Sequence, residues 1–241
     1  MRVLLLGGTA EGRALAKALH PDVDVISSLA GRVPDPALPV GEVRIGGFGG
    51  ADGLKRWLRE HDIDAVVDAT HPFAATMTAH AAQACEELRM KHLVLARPAW
   101  DPGAATVVAS DNEAAKAVAG QRYERIFLTT GRSGTNAFAK SDAWFLIRAV
   151  TEPETQALPR NHQLLLSRGP YDYDNEIAIM REYRIDALVT KNSGGDMTKA
   201  KLDAAAALDI PVVMVDRPPL PKGVHKVGTV REAADWIARQ A

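Results

Sequence analysis

Short apolar runs alternate along this chain with longer, alanine-rich stretches of helical period. Runs of Val, Ile and Leu predict strands, and stretches in which apolar residues recur every three or four positions predict helices. In the first half we predict strands at residues 3–6, 23–27, 43–45, 65–67, 93–95 and 106–109 and helices at 11–19, 54–60, 74–89 and 113–119. Uninterrupted apolar strands joined by crossover helices are typical of an α/β fold whose parallel sheet is covered on both faces.

The same pattern occurs a second time, about 120 residues later. The sequence IDAVV at 63–67 returns as IDALV at 185–189, and LVLARP at 93–98 is matched by VMVDRP at 213–218. In this half we predict a first strand from Ile126, strands at 144–147, 164–166, 188–189 and 212–215, and helices at 177–183 and 197–208. A period of this length is too long for a solenoid repeat and indicates two domains of one fold.

We place the domains at residues 1–121 and 122–241. Each half ends on a Ser or Thr three residues before a Glu, Ser110 with Glu113 and Thr229 with Glu232, which predicts a capping box and a closing helix. The closing strand and helix of either half could be exchanged between the sheets without changing the sequence pattern. The predicted fold is therefore two tandem Rossmann-like domains with parallel sheets and a ligand cleft between them.

Composition excludes several classes of protein. A formal net charge of −1 over 241 residues gives no field for nucleic acid or an anionic membrane. The single cysteine, Cys85, lies in an apolar run and is interpreted as a small buried residue, and the absence of a disulfide framework fits a reducing cytoplasm. The sequence has no apolar run long enough for a signal peptide or a membrane span. We expect a cytoplasmic monomer, because its two sheets can pair within one chain.

A glycine-rich loop follows the first predicted strand and opens the first helix, with the sequence Gly7-Gly-Thr-Ala-Glu-Gly-Arg13. Glycines there let the backbone approach a pyrophosphate, whose charge the amides of the helix N-terminus would hold. The motif departs from G-x-G-x-x-G because Thr9 stands at the second glycine position. The loop fits either a dinucleotide site or a tight turn in a ligand-free α/β domain.

The end of the second strand indicates which dinucleotide would bind. A site for NAD would carry Asp or Glu at this position, to bind the ribose 2′-hydroxyl. The strand instead leads into Ser27-Ser-Leu-Ala-Gly-Arg32, which has no carboxylate. Serines and an arginine suit a 2′-phosphate, so the sequence favours NADPH.

Two further loops follow strands of the first predicted sheet. In Asp68-Ala-Thr-His-Pro-Phe-Ala74, the side chain of His71 could donate a proton, bind the cofactor or cap the next helix. The loop Gly46-Gly-Phe-Gly-Gly50 either leaves room for the nicotinamide or is a flexible turn. Both loops should project to the same edge as the glycine-rich loop.

The corresponding loops of the second half carry cations, and in the counterpart of the phosphate loop arginine replaces the threonine. Arg132 lies in the counterpart of the phosphate loop, Arg168 in that of the Gly46 loop, and Lys191 with Asn192 in that of the Asp68 loop. Arg148 follows the second strand of this half. Each charge alone would be interpreted as solvated surface. Several at matching strand ends favour a site for a ligand with many negative charges.

Four motifs together resemble a known family. Gly7-Gly-Thr-x-Glu-Gly-Arg, Asp68-Ala-Thr-His-Pro-Phe-Ala, Thr130-Gly-Arg and Thr190-Lys-Asn-Ser-Gly-Gly, in this order, are similar to those of the precorrin-6A reductase family, also called CobK or CbiJ. The resemblance covers essentially the whole chain. It implies NADPH-dependent reduction of one carbon–carbon double bond, C18=C19, of precorrin-6A to precorrin-6B in cobalamin biosynthesis, with no flavin and no metal.

The resemblance also agrees with the basic second half, since a corrin precursor carries many carboxylates. The proton donor could be His71, Tyr171, water or the macrocycle itself. Candidate cofactor-binding residues are Gly7, Gly8, Thr9, Glu11, Gly12, Arg13, Ser27, Ser28, Gly31, Arg32, Gly47, Thr70, His71 and Phe73. Candidate substrate-binding residues are Arg132, Ser133, Arg148, Ser167, Arg168, Gly169, Lys191, Asn192, Ser193 and Gly194.

Three other functions compete with this interpretation. A short-chain dehydrogenase would need Tyr-x-x-x-Lys, and no tyrosine here has a lysine four residues later. A tetrapyrrole methyltransferase that uses S-adenosylmethionine could share the glycine-rich loop, but the second strand lacks the acidic residue that would hold its ribose. A two-lobed sensor could close on a dinucleotide or an anionic metabolite without chemistry.

Overall fold

The computed structural model describes residues 1–31 and 36–240. Its strands are β1 (Arg2–Leu6), β2 (Asp24–Leu29), β3 (Glu42–Ile45), β4 (Ala65–Asp68), β5 (Lys91–Leu95), β6 (Thr106–Val108), β7 (Arg125–Leu128), β8 (Trp144–Ala149), β9 (Asn161–Leu166), β10 (Ala187–Lys191), β11 (Val212–Val215) and β12 (Lys226–Val227). Its α-helices are α1 (Ala10–Leu19), α2 (Gly50–Glu60), α3 (Ala75–Leu88), α4 (Asp111–Gln121), α5 (Tyr173–Glu182), α6 (Ala200–Ala207) and α7 (Val230–Ala238). The predicted α/β class is confirmed.

The described strands form two six-stranded sheets in which every pairing is parallel. The first sheet has the order β12-β5-β4-β1-β2-β3, and the second has the order β6-β11-β10-β7-β8-β9. In both, the first strand of the half lies at the centre and the connections run outward from it, which is the strand order of dinucleotide-binding Rossmann sheets. The ends of β1 and β4 therefore form the switch point where such sheets bind ligands.

The chain divides into two compact units that do not follow the linear halves. Unit 1 is Met1–Pro98 with Pro218–Ala241, and unit 2 is Ala99–Arg217. Strand β6 pairs with β11 of the second sheet, and β12 pairs with β5 of the first. Each half therefore gives its closing strand and helix to the other half's sheet, so the units do not divide near Arg122.

Successive apolar side chains of the strands point to alternate faces of the sheets and pack against the helices there. In β1, Val3 and Leu5 belong to a core cluster with α1 and α7, whereas Leu4 and Leu6 belong to a cluster with α2 and α3. In unit 2, Phe127 and its neighbours pack against residues of α5 and α6. Because successive side chains of a strand point to opposite faces, an uninterrupted apolar strand contributes to the core on both faces of its sheet.

The predicted elements differ from the structure mainly at their ends. Helix α5 begins earlier than predicted, because the side chain of Asp172 caps it by accepting a hydrogen bond from the Asn175 amide at 3.0 Å. The second predicted capping box is complete at Thr229 and Glu232. The first is not, because the Glu113 carboxylate binds the amide of Ala109 at 2.9 Å. Among the described helices, none has both the length and the apolar character needed to cross a bilayer.

Candidate functional site

The glycine-rich loop of unit 1 joins β1 to α1. Gly8 has φ +110°, a conformation open to glycine, and no atom lies within 4 Å of where its Cβ would be. Thr9 caps α1: its hydroxyl accepts from the Gly12 amide at 3.0 Å and donates to the Ala69 carbonyl at 2.8 Å. Threonine at the second glycine position therefore ties the loop to the end of β4, while Gly8 leaves the backbone approachable.

An ion pair lies beside this loop. Glu11, in the first turn of α1, pairs with Arg97 at 2.7 Å, and both side chains are largely buried. Arg97 follows β5, so the contact joins the first turn of α1 to the loop after β5. The Glu11 carboxylate is thus neutralised by a protein cation, which reduces its repulsion of an anion at the helix N-terminus. Arg13, on the same helix, is partly buried.

The ends of β2 and β3 hold the predicted serines and an arginine that sequence reasoning missed. The Ser28 carbonyl accepts from the Gly7 amide at 2.9 Å, and the Ser28 hydroxyl accepts from Arg44 at 2.8 Å. Ser27 is buried, and its hydroxyl has no partner among the described residues. Gly31 is exposed at the end of this segment. The predicted phosphate contact Arg32 lies outside the described residues.

The loop after β4 is organised by a buried carboxylate. Asp68 is 1% exposed and accepts from the Thr70 amide at 2.9 Å and from the Thr70 hydroxyl at 2.6 Å. His71 is exposed, and its Nδ1 accepts from the Phe73 amide at 3.3 Å. This bond places the proton of a neutral His71 ring on Nε2. Asp68 thus has a structural role, and His71 presents an N–H donor.

In unit 2, the predicted substrate cation Arg148 is buried in an ion pair. Its Nη1 and Nη2 donate to the Glu176 carboxylate at 3.0 and 2.7 Å, and the two side chains are 5% and 1% exposed. The guanidinium also lies over the rings of Tyr171, at 4.0 Å, and Phe127, at 4.7 Å. The hydroxyl of Tyr171 donates to the Ser167 carbonyl at 3.0 Å. Arg148 therefore fixes the loop after β9, and its charge is compensated within the protein.

The loop after β10 is held by its own polar side chains. Lys191 donates to the Thr130 carbonyl at 3.0 Å and lies 3.4 Å from the carboxylate of Asp111, in the first turn of α4. Asn192 accepts from the Trp100 amide at 2.8 Å and donates to the Trp100 carbonyl at 3.1 Å. Arg217 donates to the carbonyls of Asn192 and Ser193 at 2.8 and 3.0 Å. These contacts shape the loop that contains Ser193 and the buried Gly194.

Two of the predicted cations are on the surface. Arg132 is exposed with Ser133 at the start of a 3-10 helix, Arg132–Phe138, that replaces the counterpart of α1. Arg168 is exposed after β9, next to the partly buried Ser167 and Gly169. A Cβ at Gly169 would lie 3.1 Å from the Met197 carbonyl, so glycine allows the loops after β9 and β10 to approach. Arg132 and Arg168 are thus at the carboxyl ends of β7 and β9.

A buried lysine lies close to this arrangement. Lys201 is 4% exposed, and its ammonium lies 4.7 Å from the centre of the Trp100 ring. Burial lowers the pKa of Lys201 to about 7, although the nearby Glu176 carboxylate opposes this shift. The described residues contain no cluster of three or more His, Cys, Asp or Glu side chains that could hold a metal ion.

Sequence reasoning missed the residues that lie apart from a glycine or a motif. No sequence pattern indicates the roles of Glu176 and Trp100, because these roles depend on contacts with distant parts of the chain. The position of Arg44 did carry a sequence signal: it lies on a predicted strand, β3, and the parallel register places it opposite Ser28. A comparison of neighbouring strand ends would have brought it into the candidate site.

The sheet order and strand-end loops define the class of the protein, an α/β protein built from two Rossmann-like units. The model of the family "Precorrin-6x reductase CbiJ/CobK" matches residues 2–238. A precorrin-6A reductase of Mycobacterium tuberculosis is 71% identical over 98% of this chain and 97% of its own length. One of Rhodococcus erythropolis is 55% identical, with the same coverage.

A solved structure supports the same assignment. "CobK precorrin-6A reductase" has a TM-score of 0.92 and 34% identity, covering 100% of this chain and 97% of its own. The chain belongs to the precorrin-6x reductase CbiJ/CobK family and is an oxidoreductase of cobalamin biosynthesis. The resemblance found in the sequence motifs is thereby confirmed.

Proposed function

We propose that this protein reduces the C18=C19 double bond of precorrin-6A with NADPH and forms precorrin-6B. Membership of the family and the names of the similar reductases support the substrate. The observation that supports a dinucleotide cofactor is the glycine-rich loop at the switch point of the first sheet. Sheets with this strand order bind dinucleotides at that point.

Unit 1 is the proposed NADPH unit. The open space beside Gly8 and the first turn of α1 fit a pyrophosphate, because the backbone there can approach the ligand and the helix N-terminus favours negative charge. The Thr9 side chain and the Glu11–Arg97 pair hold this loop in place. We assign the remaining cofactor contacts to Arg13, Ser27, Ser28, Gly31, Arg32, Gly47, Thr70, His71 and Phe73.

NADPH, when bound, would supply a hydride to one carbon of the double bond and leave as NADP⁺. The neighbouring carbon must gain a proton. We assign to His71 the positioning of the cofactor, since the ring orientation is fixed by the Phe73 amide. The chain otherwise contributes binding, orientation and exclusion of water.

Unit 2 is the proposed precorrin unit. Exposed arginines at strand ends suit carboxylates, which accept paired hydrogen bonds from a guanidinium. Arg132 and Arg168 have this exposure, so we assign them direct contact with substrate carboxylates. Arg148, Lys191 and Asn192 position the loops that carry Ser133, Ser167, Gly169, Ser193 and Gly194.

Titration and turnover together test the proposed function. The protein should bind NADPH more tightly than NADH and S-adenosylmethionine, and precorrin-6A should cause loss of NADPH absorbance with a product heavier by two hydrogens. Methyl transfer from S-adenosylmethionine would establish the methyltransferase instead. NADPH binding without turnover on either precorrin-6A or its cobalt form would favour the sensor.

Arg132→Ala and Arg168→Ala should each weaken precorrin-6A binding by about 1.5–3 kcal/mol, the range for a hydrogen bond to a charged group. NADPH binding should change little, because both residues lie in unit 2. Arg160→Ala is the matched control, since Arg160 is also exposed but precedes β9 at the opposite edge of the sheet. Equilibrium titration of each variant measures the effect. Equal losses in the control and the two variants would contradict the assignment.

A further inference from the structure

Arg44 occupies a position that none of the motifs includes. It lies on β3, and the parallel register places it directly opposite Ser28 at the end of β2. The end of the second strand is where Rossmann sheets discriminate between cofactors through the adenosine ribose. Arg44 therefore presents a cation at this discriminating position.

The guanidinium of Arg44 is held by neutral partners. Its Nη1 donates to the Ser28 hydroxyl at 2.8 Å and to the Gly46 carbonyl at 3.0 Å, and its Nη2 donates to the Gly47 carbonyl at 3.2 Å. One face lies over the Phe48 ring, 3.9 Å from its centre. These contacts fix the orientation of the side chain before a ligand arrives, which lowers the entropy cost of binding.

Among the described residues, the charge of Arg44 has no counterion. No carboxylate lies within 4.0 Å of its guanidinium in residues 1–31 and 36–240, whereas Arg97, Arg148 and Lys191 each face one. Partial burial lowers the pKa of Arg44 from its ordinary value, but an arginine remains charged at neutral pH. The Nε–H and one Nη2–H lack a partner among those described residues. A fixed cation with two unused donors is suited to an incoming anion.

We propose that Arg44 binds the 2′-phosphate of NADPH and is the residue through which this protein prefers NADPH to NADH. The inference rests on the proposed NADPH site in unit 1. Ser28 acts as a positioning residue, because its hydroxyl holds Nη1 and leaves the outer donors of the guanidinium for the phosphate. A plain ribose hydroxyl gains little from the same cation, so the contact separates the two cofactors.

Dissociation constants for NADPH, NADH, 2′,5′-ADP and 5′-ADP test the proposal in wild type, Arg44→Gln and Arg44→Lys. Arg44→Gln should weaken NADPH and 2′,5′-ADP about tenfold to a hundredfold, the size of one charged hydrogen bond. NADH and 5′-ADP should change by less than about threefold, since they lack the phosphate. Arg44→Lys should retain part of the preference, because it keeps the charge and loses the paired donors.

Arg59→Ala is the control. Arg59 is exposed in the last turn of α2, at the end of the helix away from the loop that binds Arg44. Equal weakening of NADPH and NADH by Arg44→Gln would show that Arg44 only supports its loop and would overturn the inference. So would an unchanged preference for NADPH, or a preference that disappears in Arg32→Ala alone. Wild-type protein that binds neither cofactor would instead refute the proposed function, so the two failures are distinguishable.

Discussion

Glu176→Gln should lower the free energy of unfolding by about 3–5 kcal/mol, the cost of leaving a buried charge without its partner. The substitution removes the carboxylate that receives both Nη groups of Arg148, in a site where the two side chains are 5% and 1% exposed. Arg148 cannot reach water without moving from between Tyr171 and Phe127. Denaturant unfolding, together with hydrogen exchange of the β8 amides, measures the loss.

Two variants define how this result is interpreted. Asp235→Asn breaks an exposed pair with Arg231 and should change the free energy of unfolding by less than about 0.5 kcal/mol. The double variant Arg148→Met with Glu176→Leu should recover most of the loss, because neither charge of the buried pair remains. If Glu176→Gln costs no more than Asp235→Asn, the Arg148–Glu176 pair does not hold this part of unit 2 together.

Ile237→Ala should destabilise unit 1 by about 2–5 kcal/mol, the usual range for truncating a fully buried isoleucine. Ile237 lies on α7 near the end of the chain, yet it belongs to the core cluster of β1 that includes Leu15 and Leu19. Hydrogen exchange should therefore accelerate in β1 and β4, far away in sequence. Exchange in β7 and β10 should change less, because they belong to unit 2.

Val118→Ala provides the converse measurement. Val118 is buried on α4, which precedes Arg122 in the sequence but lies in unit 2. Its truncation should cost on the order of 1–3 kcal/mol and should raise exchange in the second sheet. Loss of protection in the first sheet after Val118→Ala, or in the second after Ile237→Ala, would contradict the exchange of terminal elements.

The strands and helices were predictable because their signals are local. Alternating faces in β1 and the caps at Ser110 and Thr229 depend on residues close in sequence, so their presence follows from pattern alone. The sheet that β6 and β12 join was not predictable. Both sheets have the same order, so a closing strand meets an equivalent edge in either one, and only long-range packing decides.

The candidate site was also predictable only where its signals are local in sequence. The glycine-rich loop could be located because its glycines follow a predicted strand and precede a predicted helix. Charge type alone could not separate Arg148, which is buried against Glu176, from Arg168, which is exposed. The sequence shows that a cation is present, but whether a protein carboxylate already neutralises it depends on the fold.

The exchanged strands also set the order in which the two sheets can be completed during synthesis. All six strands of the second sheet lie within Ala99–Arg217, whereas the first sheet waits for β12 after that whole segment has been made. At roughly 5–20 residues per second this wait is on the order of ten seconds, much longer than hydrophobic collapse. We therefore expect the nascent chain to carry β5 as an unpaired edge beside an uncovered apolar face, which exposes this intermediate to pairing with other chains.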